Sequence, residues 1–152
     1  MAFKVRVEGF SAGGDIPRRF TCDGEDIAPL VQWTDEPLGT KSFAVIVDDT
    51  DAPGGTWTYW LIRDIPVNVR SVSAHTEKMR ETKSRTNDFG KRGYGGPCPP
   101  RGGGPYRYFF RVFALNVATL DVPGGAKRAT VEAGIRKRLI AESSFMGRYQ
   151  RT

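Results

Sequence analysis

The chain is poor in the residues that carry the commonest catalytic and metal chemistries, with one histidine and two cysteines in 152 residues. His75 stands in a charged stretch, and none of the serines has a sequence context that pairs it with a histidine base, so no serine triad is written into the chain. Cys22 and Cys98 have no nearby histidine and no second cysteine at short spacing, which excludes the usual zinc and Cys-x-x-Cys redox patterns. No metal site and no cofactor are therefore expected. Free thiols are expected in preference to a disulfide, with a thermophilic cytosol as the setting that weakens the preference. Long apolar runs are missing too. The FAVIV stretch from Phe43 to Val47 is far short of the roughly 20 residues that span a bilayer, and no signal-like apolar block opens the chain. The expected location is the cytoplasm, without stable membrane insertion. Charge of one sign does not dominate, since 23 Lys and Arg stand against 17 Asp and Glu for a net +6. The basic residues are interspersed with acids and form no tail or recognisable nucleic-acid motif, so no specific nucleic-acid partner is expected.

What the chain does have is turn formers and aromatics. Its 18 glycines and 10 prolines suit many short strands better than a helical bundle, and 9 Phe, 5 Tyr and 3 Trp argue against disorder. At this length a single domain over residues 1–152 is expected. Phe3, Val5 and Val7 alternate with Lys4, Arg6 and Glu8, which predicts a strand with one buried and one wet face. Further strands are predicted around Leu30–Trp33, Phe43–Val47, Tyr59–Ile62 and Tyr108–Leu115. Val131, Ile135 and Leu139 recur at four-residue spacing with Glu132 and Arg136 on another face, which predicts a short amphipathic helix near the C-terminus. Gly134 gives that helix a close packing surface, and Gly147 a termination point. Between His75 and Pro105 a charged stretch runs into GGPCPPRGGGP and reads as a long exposed excursion of the kind that shapes ligand sites.

The densest chemical signal is VDDTDAPGGTW, from Val47 to Trp57. Asp48, Asp49 and Asp51 crowd a strand-to-turn boundary, but the spacing and distal glutamate of a calcium-binding loop are absent. Turn capping and salt bridging account for three such carboxylates equally well. This segment, together with FTCDGEDIAPLVQW at Phe20–Trp33, WLIRDIP at Trp60–Pro66 and GPCPPRGGGPYRYFF at Gly96–Phe110, resembles the phosphatidylethanolamine-binding protein (PEBP) family in its short bacterial and archaeal, Raf-kinase-inhibitor-like branch. The matching blocks keep their order and cover nearly the whole chain.

The resemblance implies a mostly β fold, with a central antiparallel sheet packed on a smaller sheet, few helices, and a small anion-accepting cavity near one end. It places the ligand-binding residues at Asp49, Asp51 and Pro53, at Tyr59 in the following strand, at Pro99 and Gly104 of the Gly-Pro-rich segment, and at Tyr106, Arg107 and Tyr108. The family pattern has histidine where this chain has Tyr59 and Tyr106. A tyrosine donates a hydrogen bond but does not become cationic near neutral pH, so the pocket is expected to be altered. Arg107 is expected to pair with Asp49 or Asp51 in preference to a ligand, Trp57 and Trp60 are candidates for an apolar wall or the core, and Gly102–Gly104 are expected to permit close backbone approach. The implied function is that of a small non-catalytic binding or regulatory protein for a small anion or phospholipid head group, acting as a homodimer. Inhibition of a serine protease, or binding to a protease or kinase, is the alternative. An enzyme using Asp49 and Asp51 as acid and base is a second one.

Overall fold

Strand β3 (Ser42–Asp49) is buried at every position, which requires a cover on each of its faces. The computed structural model describes residues 2–74, 83–84, 87–89 and 93–152, and shows what those covers are. In chain order, β1 (Lys4–Val7), a 3-10 turn (Arg18–Phe20) and β2 (Val31–Thr34) precede β3. After it come β4 (Trp57–Pro66), β5 (Ser71–Val72), β6 (Lys83–Ser84), β7 (Tyr106–Leu115), α1 (Arg128–Arg138) and β8 (Leu139–Tyr149). The large sheet has the order β6-β4-β3-β7-β8 and the small one β1-β2-β5, and every strand pairing is antiparallel. The expected mostly β architecture of two antiparallel sheets and a single C-terminal helix is the one observed.

Strand periodicity divides β3 between two cores. Phe43, Val45 and Val47 join Trp60, Ile62, Phe110 and Val112 in the cluster that meets Val5, Val7, Val31 and Trp33 of the small sheet. Ala44 and Ile46 join Leu61, Phe113 and Leu115 on the opposite face, where Val131 and Ile135 of α1 cover them. Each fully buried residue of this size contributes about 1.5–3 kcal/mol. The helix is shorter than its periodicity predicts, because Leu139 already begins β8 and pairs with Leu115. Gly134 does pack closely, with Val122 of the preceding loop as the neighbour: a Cβ there would stand 2.6 Å from Val122 Cγ2.

The last strand was not legible as one. Gly147 does not end a helix. It lies inside β8 opposite Tyr108, and a Cβ on it would collide with the ring of Phe10 and come within 2.7 Å of Ile16. Beyond it the C-terminus is held down. The Tyr149 hydroxyl donates to Asp23, Arg151 Nε pairs with the same carboxylate at 3.1 Å, and that hydrogen bond from Tyr149 is the first cause holding Asp23 below the usual carboxylate range.

Two further expectations are corrected. His75 and its charged neighbours lie outside the described residues; from Pro100 to Pro105 the excursion is largely exposed as expected, but Gly93, Gly95, Gly96, Pro97 and Pro99 are buried. Their backbone is tied to the body of the protein, with Gly95 N–H donating to Tyr59 O at 2.9 Å and Gly96 N–H to the Asp26 carboxylate at 2.7 Å. Asp26 itself sits at φ 57°, a left-handed conformation that aspartate tolerates better than most residues. Cys22 and Cys98 are not free thiols. They form a disulfide, brought into register by the Cys22 N–H to Pro97 O hydrogen bond of 3.1 Å. Spacing in sequence carried no sign of this pair, because the fold alone brings the two segments together.

With its ends 76 positions apart in sequence, the cross-link removes chain entropy worth about 4 kcal/mol from the unfolded ensemble. Reduction by a dithiol, or a Cys22→Ala/Cys98→Ala variant, is expected to lower the unfolding free energy by a comparable amount in a urea titration. An unchanged midpoint under reducing conditions would show that the bond contributes nothing to stability.

Candidate ligand-binding site

At the end of the large sheet where β3 leaves and β4 and β7 begin, two consecutive carboxylates point to opposite faces, as strand alternation requires. Asp48, 1% exposed, faces the helix side and is matched by two arginines: Arg111 Nε at 3.0 Å and Arg128 Nη2 at 2.7 Å. Arg128 also donates to Thr58 Oγ1 at 3.0 Å, which fixes the guanidinium between strand and helix. Asp49, 0% exposed, faces the other core, where its described partners are hydrogen-bond donors and not cations. Its Oδ1 accepts the backbone N–H groups of Asp51 at 3.0 Å and Ala52 at 2.7 Å, and its Oδ2 accepts the hydroxyl of Tyr59. The carboxylate thereby folds the β3–β4 turn over itself and pins the Tyr59 ring.

The third acid is handled differently again. Asp51 receives the Arg107 backbone N–H at 2.9 Å, Nε at 3.1 Å and Nη2 at 2.9 Å, so the guanidinium fork is fully engaged. These bonds hold Asp51 below the usual carboxylate range. The pair is open to water, with 52% of the Arg107 side chain exposed, so solvent screening keeps its contribution small. The three aspartates thus have three separate environments and do not converge. Among the described residues no group of three or more His, Cys, Asp or Glu is placed to hold a metal ion.

A cavity of about 380 Å³ opens beside this frame. Of the residues expected at a ligand site, Pro53, Tyr59, Pro99 and Tyr106 line it. Asp49 and Tyr108 stand behind it, Tyr108 with its ring edge-on to Tyr59 at 5.2 Å and its hydroxyl buried. Asp51 and Arg107 stand at its edge as the closed ion pair. Gly104 does not reach the cavity; Gly102 and Gly104 have φ of 74° and 79° with nothing near a would-be Cβ, so glycine there serves the turn and not a close approach. Trp57 and Pro100 belong to the wall, whereas Trp60 is core, packed on Tyr94. Ala52, Phe89 and Cys98 complete the lining and were not anticipated. Phe89 follows the charged stretch with no periodicity to mark it, and Cys98 enters only through the disulfide. A second cavity, of about 420 Å³, lies at the far end of β3 between Lys41, Asp64 and Asn68, and contains none of the expected residues.

Electrostatics at the first cavity favour neutral phenols over a buried anion. Burial is the leading cause that raises both Tyr59 and Tyr108, with Asp49 opposing phenolate formation as well. Burial also raises Asp49, against the pull of its three donors. A two-sheet β protein with a small-molecule-sized, aromatic-walled cavity at one sheet end is thereby defined.

The chain belongs to the phosphatidylethanolamine-binding protein family, whose sequence profile matches residues 7–150. It is 49% identical to a UPF0098 protein of Aquifex aeolicus over 97% of this chain and 88% of that one. The crystal structure of Escherichia coli YbcL, described as a member of the mammalian PEBP family, superposes with a TM-score of 0.91 at 31% identity, covering 99% of both chains. That of the PEBP homologue CT736 from Chlamydia trachomatis gives 0.87 at 28% identity, again over 99% of both chains.

Removing the Tyr59 hydroxyl tests the frame. Tyr59→Phe leaves a buried carboxylate oxygen without its donor and is expected to cost about 1–3 kcal/mol in a denaturant titration. The pH dependence has a defined sign: with its folded-state pKa raised, Asp49 favours folding fully below the ordinary carboxylate pKa, and that contribution is lost as pH rises through the raised value. Tyr59→Phe should steepen this loss and Asp49→Asn abolish it. A parent and an Asp49→Asn variant with identical stability–pH slopes would refute the assignment.

Proposed function

We propose that this protein is a non-catalytic binding protein whose cavity receives the head group of a phospholipid or a small molecule of that kind, and that it belongs to the short prokaryotic, Raf-kinase-inhibitor-like branch of its family. The observation that carries the reading is the cavity itself, a concave, mostly apolar site with Tyr59 and Tyr106 on its wall. Its size falls within the range of about 300–1,000 Å³ usual for small-molecule sites. Matches to bacterial and archaeal relatives along nearly the full chain support the branch. A non-catalytic role is supported by the chemistry on the wall: among the described residues no nucleophile is paired with a base there, and the carboxylate of Asp49 is committed to three donors of its own chain.

With Tyr59 and Tyr106 in the places where the family pattern has histidine, the described residues of the cavity wall include no imidazole to gain charge near neutral pH. Membrane attachment is not needed for such binding, and among the described residues no helix is long and apolar enough to cross a bilayer.

Because the Tyr59 hydroxyl is engaged by Asp49, Tyr106 is the cleaner probe of binding. Calorimetric titration with glycerophosphoethanolamine is expected to show saturable binding, weakened about three- to tenfold in Tyr106→Phe with an unchanged unfolding midpoint. Affinity should be flat from about pH 6 to about pH 8. Equal affinity in parent and variant would remove Tyr106 from the site, and a neutral-range pKa for binding that survives replacement of His75 would contradict the uncharged wall.

A further inference from the structure

We infer that the Cys22–Cys98 disulfide is a thiol-exchange site, opened by attack on Cys22 with Cys98 as the leaving thiolate, and that its opening releases the loop wall of the cavity. The redox state of this pair thereby sets the affinity of the cavity, whichever ligand enters it.

The two sulfurs stand in unlike surroundings. Cys98 is part of the cavity lining, and both cysteines are half-buried. Arg151 divides its guanidinium between the two ends of the bond: Nε holds Asp23, the residue after Cys22, at 3.1 Å, while Nη1 lies 3.6 Å from Cys98 Sγ. A cation beside a sulfur stabilises its thiolate, and the thiol of lower pKa leaves faster in disulfide exchange. Expelling Cys98 places the new charge next to Arg151, whereas expelling Cys22 would place it on the residue that precedes an aspartate. Access agrees, because residues 24–27 of the turn that follows Cys22 are exposed.

The exchange balances with a low-potential dithiol as reductant. Its thiolate attacks Cys22 Sγ, a bond forms between those two sulfurs, the Cys22–Cys98 bond breaks, and the electron pair leaves on Cys98. The second thiolate of the reductant then displaces Cys22 from the mixed disulfide. The protein gains two electrons, the dithiol loses them and closes to its own disulfide, and its two protons pass to the cysteines or to solvent.

In Pro97-Cys98-Pro99-Pro100, three residues of four have no backbone N–H to donate, so hydrogen bonding holds this stretch weakly and the sulfur bridge fixes it. The flanks are anchored separately, by the Gly95 and Gly96 N–H groups on one side and by Gly102 N–H donating to Arg151 O at 2.8 Å on the other. Pro99 and Pro100 line the cavity. Opening the bond therefore frees a piece of wall between two fixed points.

Rapid treatment with 2-mercaptoethanol, quenching with iodoacetamide and peptide mapping identify the attacked sulfur. The mixed disulfide is expected on Cys22 and the alkyl group on Cys98; the reverse pattern would overturn the assignment. Arg151→Gln should slow opening by dithiothreitol about three- to tenfold, with Arg151→Lys close to the parent rate. An arginine that only braces the C-terminus gives the opposite sign, since its loss loosens the rim, so a faster or unchanged rate would remove its role toward Cys98. Hydrogen exchange on the reduced protein should show the amides from Cys98 to Gly104 exchanging within seconds while those of β3 and β7 stay protected for minutes. Unchanged protection at the wall, or its loss throughout the sheet at once, would overturn a local release. Glycerophosphoethanolamine, titrated below both unfolding midpoints, is expected to bind the reduced form about three- to tenfold more weakly, because a released wall must be ordered again. Equal affinity would overturn the link between the bond and the cavity. Absence of binding to either form would count against the head-group reading alone, since hydrogen exchange judges the wall without a ligand.

Discussion

Strand β3 is buried on both faces to its last residue, and it ends in two adjacent aspartates. Burying a carboxylate costs several kcal/mol unless charge or hydrogen bonds replace its water, so the end of this strand forces the structure around it to supply two complete sets of partners. Strand alternation decides which set each acid receives. Asp48 takes two arginines, one from β7 and one from the first turn of α1, and so ties the helix to the sheet. Asp49 takes two backbone N–H groups and a phenol, and so ties the β3–β4 turn to β4. Charge-assisted bonds of this kind are worth about 1.5–3 kcal/mol each, and at Asp49 burial still outweighs the three donors and raises the pKa. The geometry of the cavity wall follows: Tyr59, which lines the cavity, is pinned from behind through its hydroxyl by Asp49.

The opposite wall has a different origin. Pro99 and Pro100 belong to a segment with no regular secondary structure, which would drift if the backbone alone held it. The Cys22–Cys98 bond and the Gly95 and Gly96 hydrogen bonds anchor it to the turn after Phe20 and to Asp26. Asp23, next to the disulfide, also receives Tyr149 and Arg151 from the chain's end. Sheet, turn and C-terminus therefore meet at one rim, and the cavity is rigid on the sheet side by burial and on the loop side by cross-linking.

Much of the frame was legible in the sequence. Alternation revealed β1, the apolar runs revealed β3 and β4, and the aromatic-rich stretch before Leu115 revealed β7, because each buries at least one whole face. Strand β8 escaped notice. It lies at the sheet edge with every position but Gly147 half-buried or exposed, so LIAESSFMGRY carries no clean period. The disulfide escaped for another reason: two cysteines so far apart in sequence give no spacing signal, and only the fold brings them together. At the site, the acidic turn and Tyr59 were visible as a motif, but the division of three aspartates among three environments was not. It depends on which face each residue takes and which arginine can reach it. Phe89 and Cys98 are cavity residues by tertiary position alone.

Two kinds of side chain at the cavity answer to different constraints. Asp49, Asp51 and Arg107 are satisfied by their own chain and would keep their places with the cavity empty. Trp57 and Phe89 are held chiefly by mutual packing, and Phe89 remains substantially exposed. The first kind sets the shape, the second the chemistry presented to a ligand. A fold alone does not fix a function because these two sets can change independently. Exchanging ring types on the wall alters what is bound while leaving the buried acids, and hence the fold, in place. Among the described residues the wall of this chain is aromatic and uncharged although the molecule as a whole carries a net +6, so the charge of the surface says little about what the cavity accepts.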